Sequence, residues 1–377
     1  MRVAIDASRT TVVRRTGTER YALELLRALI RLNTQHQLDL YFRDQPPVDL
    51  LPASNLATQH TIAFPRLWTH LRFAAELWKT QPGVTFVPAH TLPLFFPGKS
   101  IVTVHDLGYR YFPRAHTRSQ RLYLDASTRY SAARADIILA DSQATANDVT
   151  RFYGTAANKI RVVYPGVTCP HVDGKVPDDA RARVRQKYGL PEHYWLYVGT
   201  LQPRKNIGSI VQGYTRWKAR CSGEESALVL AGSKGWLYDP AWVAGVDGVI
   251  ETGFIDEADK WALYAGARAL LFPSLYEGFG FPVVEALLCG TPVICSRASS
   301  LPELGGDLVD YIELPQNSTQ QAQNLWGYVG DQLADRMCRI TDEAFSDTAR
   351  ERRRVQARRF NWDTAARSLL TILDNLA

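Results

Sequence analysis

The stretch Glu277-Gly278-Phe279-Gly280-Phe281-Pro282-Val283-Val284-Glu285 sets two carboxylates eight positions apart around a Gly-x-Gly turn and a proline. Before it, Arg268-Ala269-Leu270-Leu271-Phe272-Pro273-Ser274 reads as a short buried strand running into a turn. After it, Ala286, Leu287 and Leu288 continue a helix that stops at Gly290. The order is strand, glycine loop, helix, with Pro282 near the helix start, where its missing N–H costs nothing. A glycine loop feeding a helix N-terminus offers backbone N–H groups to an anion. Carboxylates repel phosphate, so the two glutamates suit hydroxyls on either side of it. A nucleotide sugar has that order, with ribose at one end, phosphates in the middle and hexose at the other. Solvated glutamates beside an ordinary turn are the plainer reading, because glycine loops are common.

A chain of 377 residues allows two domains, each able to bury a full core. Its apolar content is near the globular average, and no apolar run approaches a membrane span of roughly 20 residues. Arg2-Val3-Ala4-Ile5-Asp6 reads as a buried strand reaching a carboxylate, with none of the apolar core of a signal peptide. The five cysteines (Cys169, Cys221, Cys289, Cys295, Cys338) form no C-x-x-C pair. They read as reduced, mostly buried thiols of a cytoplasmic protein. Charge is uneven. Residues 1–188 hold 26 Lys and Arg against 15 Asp and Glu, whereas residues 189–377 hold 18 against 23, so a basic half (+11) adjoins an acidic one (−5). The basic half fits an anionic membrane surface or a phosphorylated acceptor, or a merely solvated surface. Nucleic acid lacks support, since there is no zinc-ligand spacing, aromatic-basic RNA motif or basic helical stripe.

The first half alternates candidate strands (Val3–Asp6, Gln37–Phe42, Val84–Val87, Ile101–His105, Asp136–Ala140, Ile160–Tyr164) with candidate helices (Thr18–Leu32, Arg118–Arg134, Ser142–Tyr153). That is the α/β pattern of a parallel sheet covered on both faces. Pro165-Gly166 and the polar stretch with Pro170, Gly174 and Pro177 read as a linker, and then the pattern restarts. Strands are expected at Trp195–Val198, Ala227–Ala231, Gly248–Glu251, Ala269–Phe272 and Pro292–Cys295, and helices at Asn206–Lys218, Glu257–Ala267 and Pro282–Cys289. The division is an N-terminal domain over residues 1–170, a linker over 171–190, a C-terminal domain over 191–357 and a last helix over 358–377. Two doubly wound, Rossmann-like domains imply a central cleft, with ligands beyond the carboxyl ends of the strands. The run Arg350, Arg352, Arg353, Arg354, Arg358 and Arg359 reads as a solvated helix face. The amphipathic, Trp-rich segment from Arg66 to Lys79 favours a packed helix over a membrane-lying one.

Each strand of the second domain can be followed to its carboxyl end. Gly199-Thr200 leads to Arg204-Lys205-Asn206, where Arg as a two-point fork and Lys as a mobile charge suit a diphosphate, with Asn206 as helix N-cap. Gly232 permits close backbone approach. Phe254-Ile255 forms an apolar tip able to carry a nucleobase. Leu263 and Tyr264 read as core first and base contacts second. In the first domain, Arg15-Thr16-Gly17-Thr18 opens a helix, with Thr18 as N-cap and Gly17 near phosphate. His105-Asp106 stands at a strand's carboxyl end, and Asp141-Ser142 ends the next strand, where capping accounts for it.

In order, these segments resemble the retaining glycosyltransferases of family 4, which have the GT-B fold. The resemblance runs through Gly17, His105-Asp106-Leu107, Ala140-Asp141-Ser142, Val163-Tyr164-Pro165-Gly166-Val167, Val198-Gly199-Thr200, Arg204-Lys205-Asn206, Gly253-Phe254, Pro273-Ser274 with Tyr276-Glu277-Gly278-Phe279-Gly280, Glu285-Ala286 and Phe360-Asn361-Trp362. It implies that Glu285 binds ribose hydroxyls, and that Glu277 and the backbone from Phe279 to Phe281 hold the donor sugar. Arg204 and Lys205 would neutralise the diphosphate, Gly17 would approach it from the other domain, and His105 would face the sugar near the reacting carbon. Gly278 and Val283 complete the implied donor wall. The last helix would cross back to brace the first domain. Thr16-Gly17-Thr18 departs from the paired glycines of many relatives.

The expected chemistry is transfer of a hexose with retention, by same-face attack in which the leaving phosphate takes the acceptor proton. No metal or other cofactor is needed. Gly17 followed by Glu19-Arg20-Tyr21, together with His105-Asp106-Leu107, looks most like the mannosyltransferase-type branch. That resemblance implies GDP-mannose rather than UDP-sugars, while the acceptor is open between a lipid-linked glycan, a glycolipid and a soluble sugar, reached from the cytoplasm or the inner face of the membrane. The alternatives are a UDP-sugar-dependent glucosyl or N-acetylglucosaminyl transferase, a nucleotide-sugar epimerase, a glycan phosphorylase and a non-catalytic nucleotide-sugar sensor. A hydrolase would set paired carboxylates across the scissile bond.

Overall fold

The computed structural model describes residues 1–12, 17–32, 35–64, 66–113, 117–221, 226–235, 237–315 and 322–377. Arg15 and Thr16 of the first glycine loop lie outside them. The chain forms two compact units, Met1–Thr168 with Phe360–Ala377, and Cys169–Arg359.

The first unit is built on β1 (Arg2–Asp6), β2 (Gln37–Phe42), β3 (Ala57–Thr61), β4 (Val84–Val87), β5 (Lys99–Val104), β6 (Ile137–Ala140) and β7 (Ile160–Val162). They pair in parallel in the order β3-β2-β1-β4-β5-β6-β7. The inner strands are largely buried because both sheet faces are covered, as in Val84–Val87, where every residue, Thr85 included, is buried. The helix Gly17–Arg31 covers one face through Tyr21, Leu25, Leu26 and Leu29. Because that helix begins at Gly17, Thr18 lies inside its first turn rather than capping it. The segment from Arg66 to Lys79 packs into the core through Trp68, Phe73 and Leu77, leaving Leu71 and Trp78 exposed.

Trp362–Leu376 is the last helix of this unit. Asn361 caps it by accepting the Thr364 N–H at 2.8 Å, and Trp362, Ala365, Ala366, Leu369 and Leu373 form its buried stripe against the Gly17–Arg31 helix. Gly166 makes the close packing feasible, since a Cβ there would lie 2.2 Å from the Trp362 nitrogen.

The second unit holds β8 (Tyr194–Val198), β9 (Ala227–Ala231), β10 (Val249–Gly253), β11 (Ala269–Phe272), β12 (Val293–Ser296) and β13 (Asp310–Ile312). All are parallel, in the order β10-β9-β8-β11-β12-β13. The order reverses between β8 and β11, and a crevice opens at the carboxyl ends of such a strand pair.

Three expectations need correction here. Residues 171–190 are not a plain linker, because Asp178–Tyr188 is a helix packed on the Glu257–Gly266 helix of the second unit. The arginine run is only partly solvated. Arg353 donates to the Gly290 carbonyl at 3.1 Å, and Arg354, which is buried, reaches the Cys289 carbonyl at 3.4 Å, so both satisfy carbonyls at the end of the Phe281–Leu288 helix. Of the five cysteines only Cys289 and Cys295 are buried, while Cys338 is exposed.

Candidate donor site

Strand β8 ends at Val198, and a turn over Pro203–Lys205 carries Arg204 and Lys205 across the β8/β11 crevice. Asn206 follows with φ +60°, a left-handed residue at the head of the Ile207–Arg220 helix. Its side chain makes no capping bond. Instead its amide donates to the Pro273 carbonyl at 3.3 Å, and its oxygen accepts from Ser209 at 2.7 Å. Asn206 therefore ties the end of β8 to the end of β11.

From the β11 side, Ser274 to Glu277 return toward the same place. The Glu277 carboxylate accepts from Lys205 Nζ and from Ser274 Oγ on Oε1, and from Arg204 at 3.2 Å on Oε2. Arg204 also donates to the Tyr276 carbonyl. The Glu277 N–H donates to Ser299 Oγ at 2.8 Å. Burial pushes the Glu277 carboxyl up, but Lys205 and Arg204 outweigh burial and hold it below the ordinary glutamate value. The result is an ionised buried carboxylate clamped by two cations.

The glycine loop then turns through Gly280, whose φ of +118° only glycine adopts readily, and a Cβ there would come within 2.7 Å of Leu301 Cδ2. Phe281–Leu288 is the helix that follows, with Pro282 in its first turn. Phe279 is buried and meets Phe281 edge-on at 5.0 Å, while Gly278 and Val283 are buried beside them.

Glu285, one turn in, is also buried. It accepts from Lys260 Nζ at 2.6 Å and from the Tyr264 hydroxyl at 2.9 Å. Lys260 in turn lies 2.8 Å from Glu257. Tyr264 is thus a core residue whose polar tip orients Glu285, rather than an exposed surface for a base. Lys260 was missed in the sequence, where it looks like any surface lysine. The two glutamates of the loop have separate partner sets, Arg204 with Lys205 for one and Lys260 with Tyr264 for the other.

Gly199 and Gly232 serve each other. A Cβ on Gly232 would lie 2.0 Å from the Gly199 carbonyl oxygen, so the close approach is within the chain itself. Phe254 is exposed and Ile255 half-buried at the tip beyond β10.

The first unit places its own polar cluster at the carboxyl ends of its strands. His105, buried one residue beyond β5, sets Nδ1 2.7 Å from Asp141 Oδ2 and Nε2 3.2 Å from the Pro88 carbonyl oxygen. Its backbone N–H donates to His90 Nε2 at 3.2 Å. Burial lowers the His105 value and Asp141 outweighs it, leaving His105 above the ordinary histidine value. Burial and the nearby His105 push His90 down to about 4. Capping accounted for only half of Asp141-Ser142, since Ser142 does cap the Gln143–Tyr153 helix but Asp141 partners His105. Gly17 is exposed at the head of its helix, and Glu19 lies 3.6 Å from Arg9.

Two family models match the chain in tandem, Glycosyltransferase Family 4 over residues 15–169 and Glycosyl transferases group 1 over residues 180–350. The chain is a family 4 glycosyltransferase. The O-antigen chain mannosyltransferase B of Escherichia coli is 29% identical over 373 residues, covering 92% of this chain and 93% of that one. The O-antigen chain mannosyltransferase RfbU of Salmonella typhimurium is 28% identical over 211 residues, covering 55% and 54%. In fold, the glycosyltransferase matches sucrose-phosphate synthase from Thermosynechococcus elongatus with a TM-score of 0.70 at 21% identity, covering 100% and 98% of the two chains. Anabaena HepE in complex with UDP-glucose matches with a TM-score of 0.72 at 15% identity over 100% of both. The architecture is GT-B.

Proposed function

We propose that this glycosyltransferase moves mannose from GDP-mannose, with retention of anomeric configuration, onto a glycan or lipid-linked acceptor. The observation that carries the reading is the convergence of Arg204 and Lys205 on Glu277 at the β8/β11 crevice. Two fixed cations at a strand-order reversal suit a diphosphate leaving group. The mannosyl choice draws on the O-antigen mannosyltransferases among the relatives.

In the transfer, the bond from the sugar anomeric carbon to the leaving phosphate oxygen breaks as the acceptor oxygen bonds to the same face of that carbon. The acceptor proton passes to the leaving phosphate. Arg204 and Lys205 stabilise the charge that develops there, so the step needs no metal and no side-chain nucleophile. Glu285, held by Lys260 and Tyr264, takes the ribose hydroxyls, and Glu277 takes the sugar side. A lipid-linked acceptor places the reaction at the inner face of a membrane, with the basic first unit toward the anionic surface. Among the described residues no helix is long and apolar enough to cross a membrane.

The test is a panel of GDP-mannose, UDP-glucose and UDP-N-acetylglucosamine, read by thermal shift and by transfer to a mannose-containing acceptor. GDP-mannose should give the largest shift and the only product, with the donor's configuration by NMR. A UDP-sugar as sole donor would overturn the donor assignment, and an epimerised donor without transfer product would overturn the reaction. Arg204→Ala with Lys205→Ala should abolish both nucleotide stabilisation and transfer.

A further inference from the structure

Cys221 and Cys338 stand apart from the donor chemistry and from the other three cysteines. Cys289 and Cys295 are buried, and the Cys289 thiol donates to the Trp261 carbonyl at 3.7 Å, while Cys169 accepts the His171 N–H at 3.4 Å. Cys221 and Cys338 instead meet each other, sulfur to sulfur at 2.8 Å, with Cys338 exposed and Cys221 half-buried. A disulfide bond is about 2.05 Å long, so side-chain rotation is enough to close the gap that remains.

A fixed seam brings the two sulfurs there. Cys221 follows the last residue of the Ile207–Arg220 helix, and Cys338 ends the Ala322–Cys338 helix. The helices run parallel, since Gly208 packs on Trp326, Gly213 on Leu333 and Cys221 on Cys338, in the same order along both. Glycines set the spacing. A Cβ on Gly213 would lie 2.7 Å from Leu333 Cβ, and one on Gly330 would lie 3.1 Å from Gln212 Cβ. Beside the sulfurs, Arg220 bonds Asp331 at 3.0 Å and Asp335 at 2.5 Å, and Arg216 bonds Asp331 at 3.1 Å. The close packing fixes the register in which the thiols face each other, and the exposed ion pairs line up with it. Partial burial and the Cys221 thiol push the Cys338 thiol up to about 11, with Arg220 acting the other way. Cys338 therefore keeps its proton in neutral solution, and the first attack on an oxidant falls to Cys221.

We infer that Cys221 and Cys338 are a dithiol modification site, oxidised by low-molecular-weight disulfides to an intrachain bond that clips the two helices together. In the first step the Cys221 thiolate attacks one sulfur of the oxidant, breaking its S–S bond and releasing one small thiolate. In the second, the Cys338 sulfur gives its proton to solvent, attacks the Cys221 sulfur of the mixed disulfide and releases the other small thiolate. Two protein thiols are oxidised, and one small disulfide is reduced to two thiols. The new bond spans 117 positions, from before β9 to beyond β13. Closing so long a loop removes much of the freedom of the unfolded chain, so the oxidised unit is the more stable one. The inference stands on the second unit alone and does not depend on the donor or acceptor assigned above.

The experiment incubates the full-length protein with oxidised glutathione, denatures it in iodoacetamide to block the remaining thiols, and maps the non-reduced peptides by mass spectrometry. A peptide joining Cys221 to Cys338 is expected, and it should disappear on treatment with dithiothreitol. In thermal-shift measurements the oxidised protein should melt roughly 10 °C above the reduced one. That gain should be absent from Cys221→Ser and from Cys338→Ser, each of which should carry glutathione on its remaining partner cysteine. Wild type left with both thiols free, or carrying glutathione on either cysteine without the cross-link, would overturn the inference. So would two chains joined through Cys338, or a cross-linked protein that melts no higher than the reduced form.

Discussion

Glu277→Gln keeps the shape of the side chain and removes the charge that Arg204 and Lys205 share. The three side chains are 9%, 21% and 11% exposed, so solvent screens little of what is lost. Removing one member of a buried ion pair costs about 3–5 kcal/mol. Arg204 keeps its bond to the Tyr276 carbonyl and a glutamine oxygen still accepts one hydrogen bond, which places the loss near the lower end, about 3 kcal/mol. For a unit of this size that corresponds to a fall in unfolding temperature of about 6–12 °C. Two cations are then left without a compensating carboxylate. Pyrophosphate should therefore bind the variant at least as tightly as wild type, and should raise its melting temperature more in a thermal-shift titration. Transfer should move the other way, with a lower kcat, because the cations lose their fixed orientation. A variant as stable as wild type, or one that pyrophosphate stabilises less, would refute the clamp.

The same carboxylate sets an acid limit. Because its folded value is depressed, its contribution is complete above the unfolded value of 4.5 and is lost as pH falls through the lower folded value. The stability difference between wild type and Glu277→Gln should thus shrink below pH 4.5 in denaturant titrations. Gly280→Ala forces a side chain into φ +118° against Leu301, and should cost about 1–3 kcal/mol of stability together with a loss of kcat. Trp362→Ala should destabilise the first unit by about 3–5 kcal/mol, seen by calorimetry as a shift of one transition and not the other.

The sequence showed the site's strongest polar residues because their positions carry information. Arg204, Lys205 and Glu277 lie just beyond strands with unbroken apolar runs, where a doubly wound sheet places ligands, and Glu285 lies in the helix that follows the glycine loop. What it hid were residues whose partners are distant in the chain. Lys260 sits in a helix at a spacing that suits solvent, and its bond to Glu285 spans 25 positions. Asp141 looks like a cap neighbour until β5 and β6 are paired, which brings His105 beside it. Arg353 and Arg354 read as solvated because nothing local shows that the carbonyls of Cys289 and Gly290 need donors. Strand β3 (Ala57–Thr61) was invisible for another reason. As an edge strand of mostly polar residues it has no apolar alternation to detect. Strand β13, three residues long, was too short to give a pattern.

The division of the chain has a consequence for biosynthesis. The first unit needs residues 360–377, yet Cys169–Arg359 lies between them and the rest of that unit. At roughly 5–20 residues per second, a ribosome takes about 10–40 s to cross the intervening segment. During that time the surface that will receive Trp362 and Leu369 stays uncovered, while the second unit emerges and folds whole. The first unit therefore cannot be completed until the final helix is made, and truncation within that helix should be felt in the yield of folded protein before it is felt at the donor site.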